Sequence, residues 1–324
     1  MSLKQNPNGL ETHEKTPQQV PSYHTGNYEV NYIAVGVLCI PLVLTIGAAL
    51  MGVPLQWKTL CVAFFFYIFN GMLGITVGYH RLFSHRSYTA SRFWECLCAF
   101  AGAGAFEGSI KWWGRNHRIH HRYVDTDKDP YNAKRGFIFS HFGWMVMKQN
   151  YSLLGKVDIT DYKYNKVVQF QHRHFFPLAV ISGIILPTLI CGLGWGDWLG
   201  GYFYASLAKI AFVHHNTFFI NSLAHTNLFG AKQNFSDLHS SHDSALCALV
   251  TFGEGYHNFH HEFANDYRNG IRWYHFDPTK WTIWLGSRLG LVKNLVYTPE
   301  DVIERNRNMM LKKRAEAKMN KQSS

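Results

Sequence analysis

Residues 31–55 run for 25 positions without a charged side chain, and residues 59–79 for 21. About 20 apolar residues suffice to cross the hydrocarbon of a bilayer as a helix, and a soluble core helix is rarely so long without a charge. A third uncharged run covers 175–196, and after Asp197 a fourth stretch is interrupted, histidines apart, only by Lys209. Four spans are therefore expected, at about 31–55, 59–79, 175–196 and 198–221. The shorter segment 93–106 carries Glu95 and reads as an interfacial or core helix. Residues 1–30 are polar and lack the ordered features of a cleavable signal, so the chain is expected to be integral to a membrane.

Four spans put residues 1–30, 80–174 and 226–324 on one side, and 30 of the 32 Lys and Arg lie there. The positive-inside rule makes that side cytoplasmic. The net charge of +11 thus faces lipid headgroups or a phosphorylated ligand. Nucleic acid is not expected, because no groove-reading motif accompanies the charge. Six cysteines form no CxxC pair and are assigned no chemistry. The fold class is all-α: four membrane helices carry a cytoplasmic helical cap, 80–174 and 226–300, within a domain of residues 31–300. A polar segment, 1–30, precedes it, and a basic tail, 301–324, follows as a solvated or membrane-surface helix end.

Eight of the 19 histidines fall into three boxes beyond the spans: HRLFSH (His80, His85), HRIHH (His117, His120, His121) and HNFHH (His257, His260, His261). Residues three and four apart share one helical face, so each HxxHH can converge its three imidazoles. The i,i+5 pair of HRLFSH is rotated by about 140° on an ideal helix, which suits flanking a metal pair or a helix end more than gripping one ion. Eight imidazoles are too many for one zinc site and enough for two ions. Imidazole suits iron, copper and zinc, and the carboxylate motifs of soluble di-iron bundles are missing, so an all-nitrogen di-iron site is the sharper expectation. After the second box, DTDKDP starts like a calcium loop but has Pro130 and Gly136 where glycine and glutamate are needed. Asp125, Asp127 and Asp129 are left as acceptors that orient ligand imidazoles or as turn residues.

Together with EGSIKWWG before the second box and DKDPYNAKRGFIFSHFGW after it, these boxes resemble the membrane-bound acyl-CoA desaturases that place a cis double bond at Δ9. The similarity runs from about residue 30 to about 295, and EGSIKWWG resembles the fungal members. The resemblance implies two iron ions (Fe2+). It adds His225 as a ninth histidine ligand and Asn221 as a contact through water, both in NSLAH. His214, His215, His239 and His242 match no family ligand. Trp113 and Thr217 are implied to hold the bend of the acyl chain, and Arg115 to contact the coenzyme A headgroup. Of a basic pair meeting its phosphates, Lys148 is present and Gln149 replaces the second charge. Arg118, Arg122, Lys134 and Arg135 would extend a cationic surface suited to phosphate.

The implied reaction uses O2 and two electrons to remove two hydrogens from palmitoyl- or stearoyl-CoA, with regiochemistry set by how far an apolar tunnel admits the chain. The tunnel's closed end is expected in the second span near Ile68. No haem-binding HPGG box occurs, so a separate cytochrome b5 or equivalent donor, with its reductase, is expected on the cytoplasmic face. The expected location is the endoplasmic reticulum membrane in a eukaryote, or the cytoplasmic membrane in a bacterium, with both termini and the site facing the cytoplasm. A membrane di-iron lipid hydroxylase, or a desaturase of phospholipid- or sphingolipid-linked chains, is the nearer rival. A non-catalytic metal-binding or transport protein ranks below, since its ligands belong at mid-membrane depth.

Overall fold

The computed structural model describes residues 29–322, together with the backbone of the antiparallel strands Lys4–Gln5 and Glu11–Thr12. Most of the polar segment 1–30 lies outside the described residues. Helix α1, Tyr32–Leu50, starts where the Asn31 side chain accepts from the Ala34 N–H, and α2 spans Trp57–Ser84. Helix α3 is Arg92–Ala103 and α4 is Ile110–Tyr123, each opened by a serine, Ser91 or Ser109, that accepts the N–H of its third helical residue. Next come α5, Lys166–Arg173, then α6, Phe175–Trp195, and α7, residues 198–221. The cap closes with α8, Ala245–Val250, α9, His257–Glu262, α10, Pro278–Arg288, and α11, Glu300–Gln322.

Among the described residues three helices, α1, α2 and α6, are long and apolar enough to cross a membrane. Their outward residues, Ile33, Val43, Leu50, Phe64 and Phe65 among them, are exposed, as lipid-facing surfaces require. The expected fourth span forms a helix of adequate length, α7, but Lys209 and its histidines lower its apolarity. Lys209 is buried and donates to Asn70 Oδ1 at 2.7 Å, Gly183 O at 3.1 Å and Gly104 O at 3.3 Å, so one ammonium ties α7 to α2, α6 and the end of α3. At the other end of the bundle, Asp197 caps α7 and accepts from Thr59 of α2.

Helix α2, with 28 residues, exceeds the ~20 that a bilayer needs. From Asn70 onward it is largely enclosed by the cap. The segment 93–106 becomes α3, which folds back along α2. A Cβ at Gly78 would lie 2.8 Å from Cys98 Cβ, so the GITVG sequence is a seam of close approach. Ile75, Val77, Tyr79, Phe83, Trp94 and Ile110 form the core around it. The basic tail continues as α11, anchored through buried Ile303 and Met310.

Over Ile68–Ser84, α2 winds wider than an α-helix, with bonds from residue i to i+5, as in His85 N to His80 O at 3.0 Å. Residues five apart then stand one turn apart and nearly above each other. The expected divergence of His80 and His85 is therefore corrected: their ring centroids are 4.7 Å apart.

Candidate metal centre

Nine imidazoles meet where α2, α4, α9 and the segment after α7 converge. Their possible ligand atoms form two groups, His80, His85, His117, His121 and His260 in one and His120, His225, His257 and His261 in the other. Within each group these atoms lie within 4.8 Å of one another. Nitrogen ligands about 2.1 Å from a shared ion stand roughly 3 to 4 Å apart, so the spacing fits one ion per group. The HxxHH box of α4 divides between them: His117 and His121 face one group, and His120 the other.

The Nε2 atoms point inward. His80 and His260 approach to 2.9 Å through them, His85 and His117 to 2.7 Å, and His257 and His225 to 3.1 Å. Outer partners fix where several protons sit. His80 Nδ1 lies 2.9 Å from Glu254 Oε2, and His120 Nδ1 3.0 Å from both oxygens of Asp129. Ser240 donates Oγ–H to Asp125 Oδ1 at 2.5 Å and so accepts the Nδ1–H of His225 at 2.8 Å. With protons held at Nδ1, lone pairs face each other at Nε2, an arrangement that a cation between them satisfies. Burial first, and then the neighbouring imidazoles, hold His85, His117, His121, His257, His260 and His261 well below the usual histidine range, while His225 falls to about 3. Neutral, deprotonated nitrogen is the form that binds metal.

Of the two roles left open for the acids after the second box, Asp125 takes the orienting one, through Ser240, and Asp129 takes both, since it also accepts the backbone N–H groups of Asp125 and Tyr131. Asp125 does so from a left-handed backbone, φ 62°, which a short polar side chain tolerates. His214, His215, His239 and His242 stand outside both groups. His215 Nδ1 meets His141 Nε2 at 3.0 Å instead.

Two glutamates escaped the sequence reading. Glu254 sits two residues after Phe252 (φ 55°) and directly after Gly253 (φ 99°), a left-handed turn that aims it at His80. Glu107 lies between Phe106 (φ 59°) and Gly108 (φ 87°). It accepts from Thr217 Oγ1 at 2.7 Å and Trp113 Nε1 at 3.0 Å, joining the two residues assigned to the chain's bend. Burial pushes its carboxyl up to about 8, against the opposing pull of those two hydrogen bonds. The glycine of EGSIKWWG, which allows the tight turn, was the available signal.

Three cavities follow one another through shared lining residues, and His117 borders the middle one. The mouth, about 530 Å3, is lined by Arg135, Lys148, Gln149 and Trp144. A middle cleft shares Trp144 and reaches His117, Trp113, Thr217 and Asn221. The innermost, about 10 Å3, shares Thr217 and is lined by Tyr67, Gly71, Thr76, Val213 and Phe252, on either side of the expected Ile68. Of the cations expected at the phosphates, Arg135 and Lys148 line the mouth. Arg118 is spent on Asp161 and on the carbonyls of Phe83, Ser84 and Asp158, and Arg115 stacks over Tyr151 outside the mouth's lining. Lys148 remains at the mouth, paired with Glu29 at 2.7 Å.

A family model described as fatty acid desaturase matches residues 55–286. A probable acyl-CoA desaturase of Schizosaccharomyces pombe is 54% identical over 252 residues, covering 78% of this chain and 52% of its own. Acyl-CoA desaturase 1 of Saccharomyces cerevisiae is 46% identical, covering 78% of this chain and 49% of its own. Stearoyl-CoA desaturase 5 of Bos taurus is 37% identical over 77% of this chain and 74% of its own. The chain spans about half the length of the two yeast relatives.

Proposed function

The chain belongs to the fatty acid desaturase family, and on that premise we propose that it is an acyl-CoA Δ9 desaturase of the endoplasmic reticulum membrane, with four spans and its site toward the cytoplasm. The observation that carries the reading is the gathering of nine imidazoles into two ion-sized groups, one of whose members, His117, lines a cleft that also holds Trp113, Thr217 and Asn221. A methylene has no acidic proton and no leaving group, so side-chain acids and bases cannot remove its hydrogens. The nine histidines would hold two iron ions, which supply that oxidising power when bound: O2, two electrons and two protons, with two hydrogens from the chain, give two waters.

The residues do the positioning. Arg135 and Lys148 meet the headgroup's phosphates at the mouth, where Lys148 exchanges Glu29 for substrate. Trp113, stacked on His117 with centroids 4.9 Å apart, and Thr217 fix the bend beside the metals, both held by Glu107. Asn221 borders the same cleft and reaches the four-histidine position through water. The inner cavity takes the methyl end and excludes water from the reacting carbons. Electrons arrive from a cytochrome b5-type donor and its reductase at the cytoplasmic face.

The test is expression in cells lacking Δ9 desaturase, with mass spectrometry locating double bonds in the fatty acids, beside His120→Ala. New Δ9 monoenes that vanish in the variant are expected. Hydroxylated lipid in their place would reassign the chain to the hydroxylase chemistry, and no new lipid from folded, donor-supplied protein would refute the reaction.

A further inference from the structure

Among the described residues, two of the nine clustered imidazoles give Nδ1 directly to a carboxylate, and they belong to different groups: His80 to Glu254, His120 to Asp129. We propose that these carboxylates divide the metal pair, Glu254 being the positioning residue for the five-histidine position and Asp129 for the four-histidine position. This rests on the two-metal reading above.

The two holds are built independently. Asp129 is local: it reaches back nine residues to His120 and is itself fixed by the backbone N–H groups of Asp125 at 3.2 Å and Tyr131 at 3.0 Å. Glu254 is long-range and cannot swing. Its Oε1 accepts Arg81 Nε at 3.1 Å and Nη2 at 2.8 Å, while Oε2 accepts Asn269 Nδ2 at 2.6 Å besides His80. The far side of Arg81 is gripped by Asp277, at 3.0 and 3.2 Å, and by the Tyr267 carbonyl at 2.7 Å. Arg81, Glu254 and Asp277 are all buried. The turn that delivers Glu254 closes only with glycine at 253, where a Cβ would lie 2.6 Å from Asp277 Oδ1. Left-handed Phe252 shows that this geometry is imposed by its surroundings.

An imidazole free to rotate or to move its proton to Nε2 presents a poor donor. A carboxylate at Nδ1 removes both freedoms, and losing such a partner costs about 10- to 100-fold in metal affinity. Each carboxylate contacts an imidazole of one group alone, so its loss should empty one position and spare the other.

The experiment uses the full chain purified in detergent from iron-supplemented cells: wild type, Glu254→Gln, Asp129→Asn and the double variant. Iron per chain, the rate of loss to a chelator and 57Fe Mössbauer spectra are measured. Two ions are expected in the wild type and one in each single variant, the other leaving about 10- to 100-fold faster. The retained ions should give different spectra, four nitrogens in one case and five in the other, and the double variant should hold neither. Single variants that keep both ions at the wild-type rate would overturn the division, as would concerted loss of both with a lowered unfolding temperature, since that marks a structural role. A wild type without two ions would refute the two-metal reading instead. If Glu254→Gln does not fold, Asn269→Ser removes one bond to Oε2 and should give the same selective loss, more weakly; loss from both positions again overturns the proposal.

Discussion

Replacing Glu107 by glutamine should change how stability depends on pH. Burial raises this carboxyl from 4.5 to about 8, so the folded protein binds the proton more tightly than the unfolded chain. A group with a raised folded-state pKa stabilises fully below the unfolded value and loses that contribution as pH rises through the folded value. At about 1.4 kcal/mol per pH unit, the wild type should lose about 3 to 4 kcal/mol between pH 5 and pH 8 through this one group, and little more above. Glutamine cannot ionise, so the stability of Glu107→Gln relative to wild type should climb by that amount and then level off. A constant offset of about 1 kcal/mol is expected beneath the trend, because the amide has one acceptor for the two donors, Thr217 and Trp113. Thermal unfolding of both proteins in one detergent, from pH 5 to 9, measures the difference and cancels every other titrating group. The gap should widen by on the order of 5–10 °C. Parallel curves would show that Glu107 is not a buried, proton-retaining acid, and the account of the bend would lose its centre.

Further outcomes follow from other contacts. His120→Ala removes one ligand and the Nδ1–H that Asp129 accepts, so iron content should drop and desaturation vanish while helical content by circular dichroism stays. Gly71→Val fills space 3.4 Å from Phe252 and 3.5 Å from Val213. Excluding about two methylenes of an acyl chain that reaches this cleft should shift the ratio of C18 to C16 products roughly tenfold toward C16, read by gas chromatography. Arg118→Gln should lower stability by about 2–3 kcal/mol and leave the KM for acyl-CoA unchanged, because its guanidinium serves carbonyls and Asp161 and not the substrate. In metal-free protein the depressed histidines retain protons poorly when folded. In a Glu107→Gln background, which removes the opposing carboxyl, stability should therefore hold above pH 6.5 and fall as pH drops toward 3, with His225 alone accounting for about 2 kcal/mol by pH 5, and an unfolding temperature unchanged from pH 7 to pH 5 in that background would contradict this.

Much of this was legible in the chain because the signals are local. Uncharged runs show α1, α2 and α6, and HxxHH spacing brings together the i,i+4 pairs His117–His121 and His257–His261, whereas the middle imidazoles, His120 and His260, each turn to the other group instead of converging with their own box. What stayed hidden depends on long-range closure or on helix pitch. Nothing near Glu254 in sequence shows that Arg81 and His80 will embrace it, and Glu107 gains its meaning only when α7 brings Thr217 alongside. Arg118 looked like a phosphate ligand because a free cation and one enclosed by carbonyls read identically as a letter. The span bounds shifted for a related reason: α2 runs past the apolar stretch because the cap, and not lipid, covers its end.

The wide winding of α2 makes the first box a device of pitch as much as of spacing. Were residues 68–84 to relax to an ordinary α-helix, no bond in the sequence would change, yet His80 and His85 would turn roughly a third of a revolution apart and stop sharing an ion. A one-residue deletion anywhere in that stretch should therefore act at a distance, like a slipped gear tooth, disabling a site whose every histidine is still present. Alignments score such a deletion as a minor gap, whereas the geometry makes it a null allele.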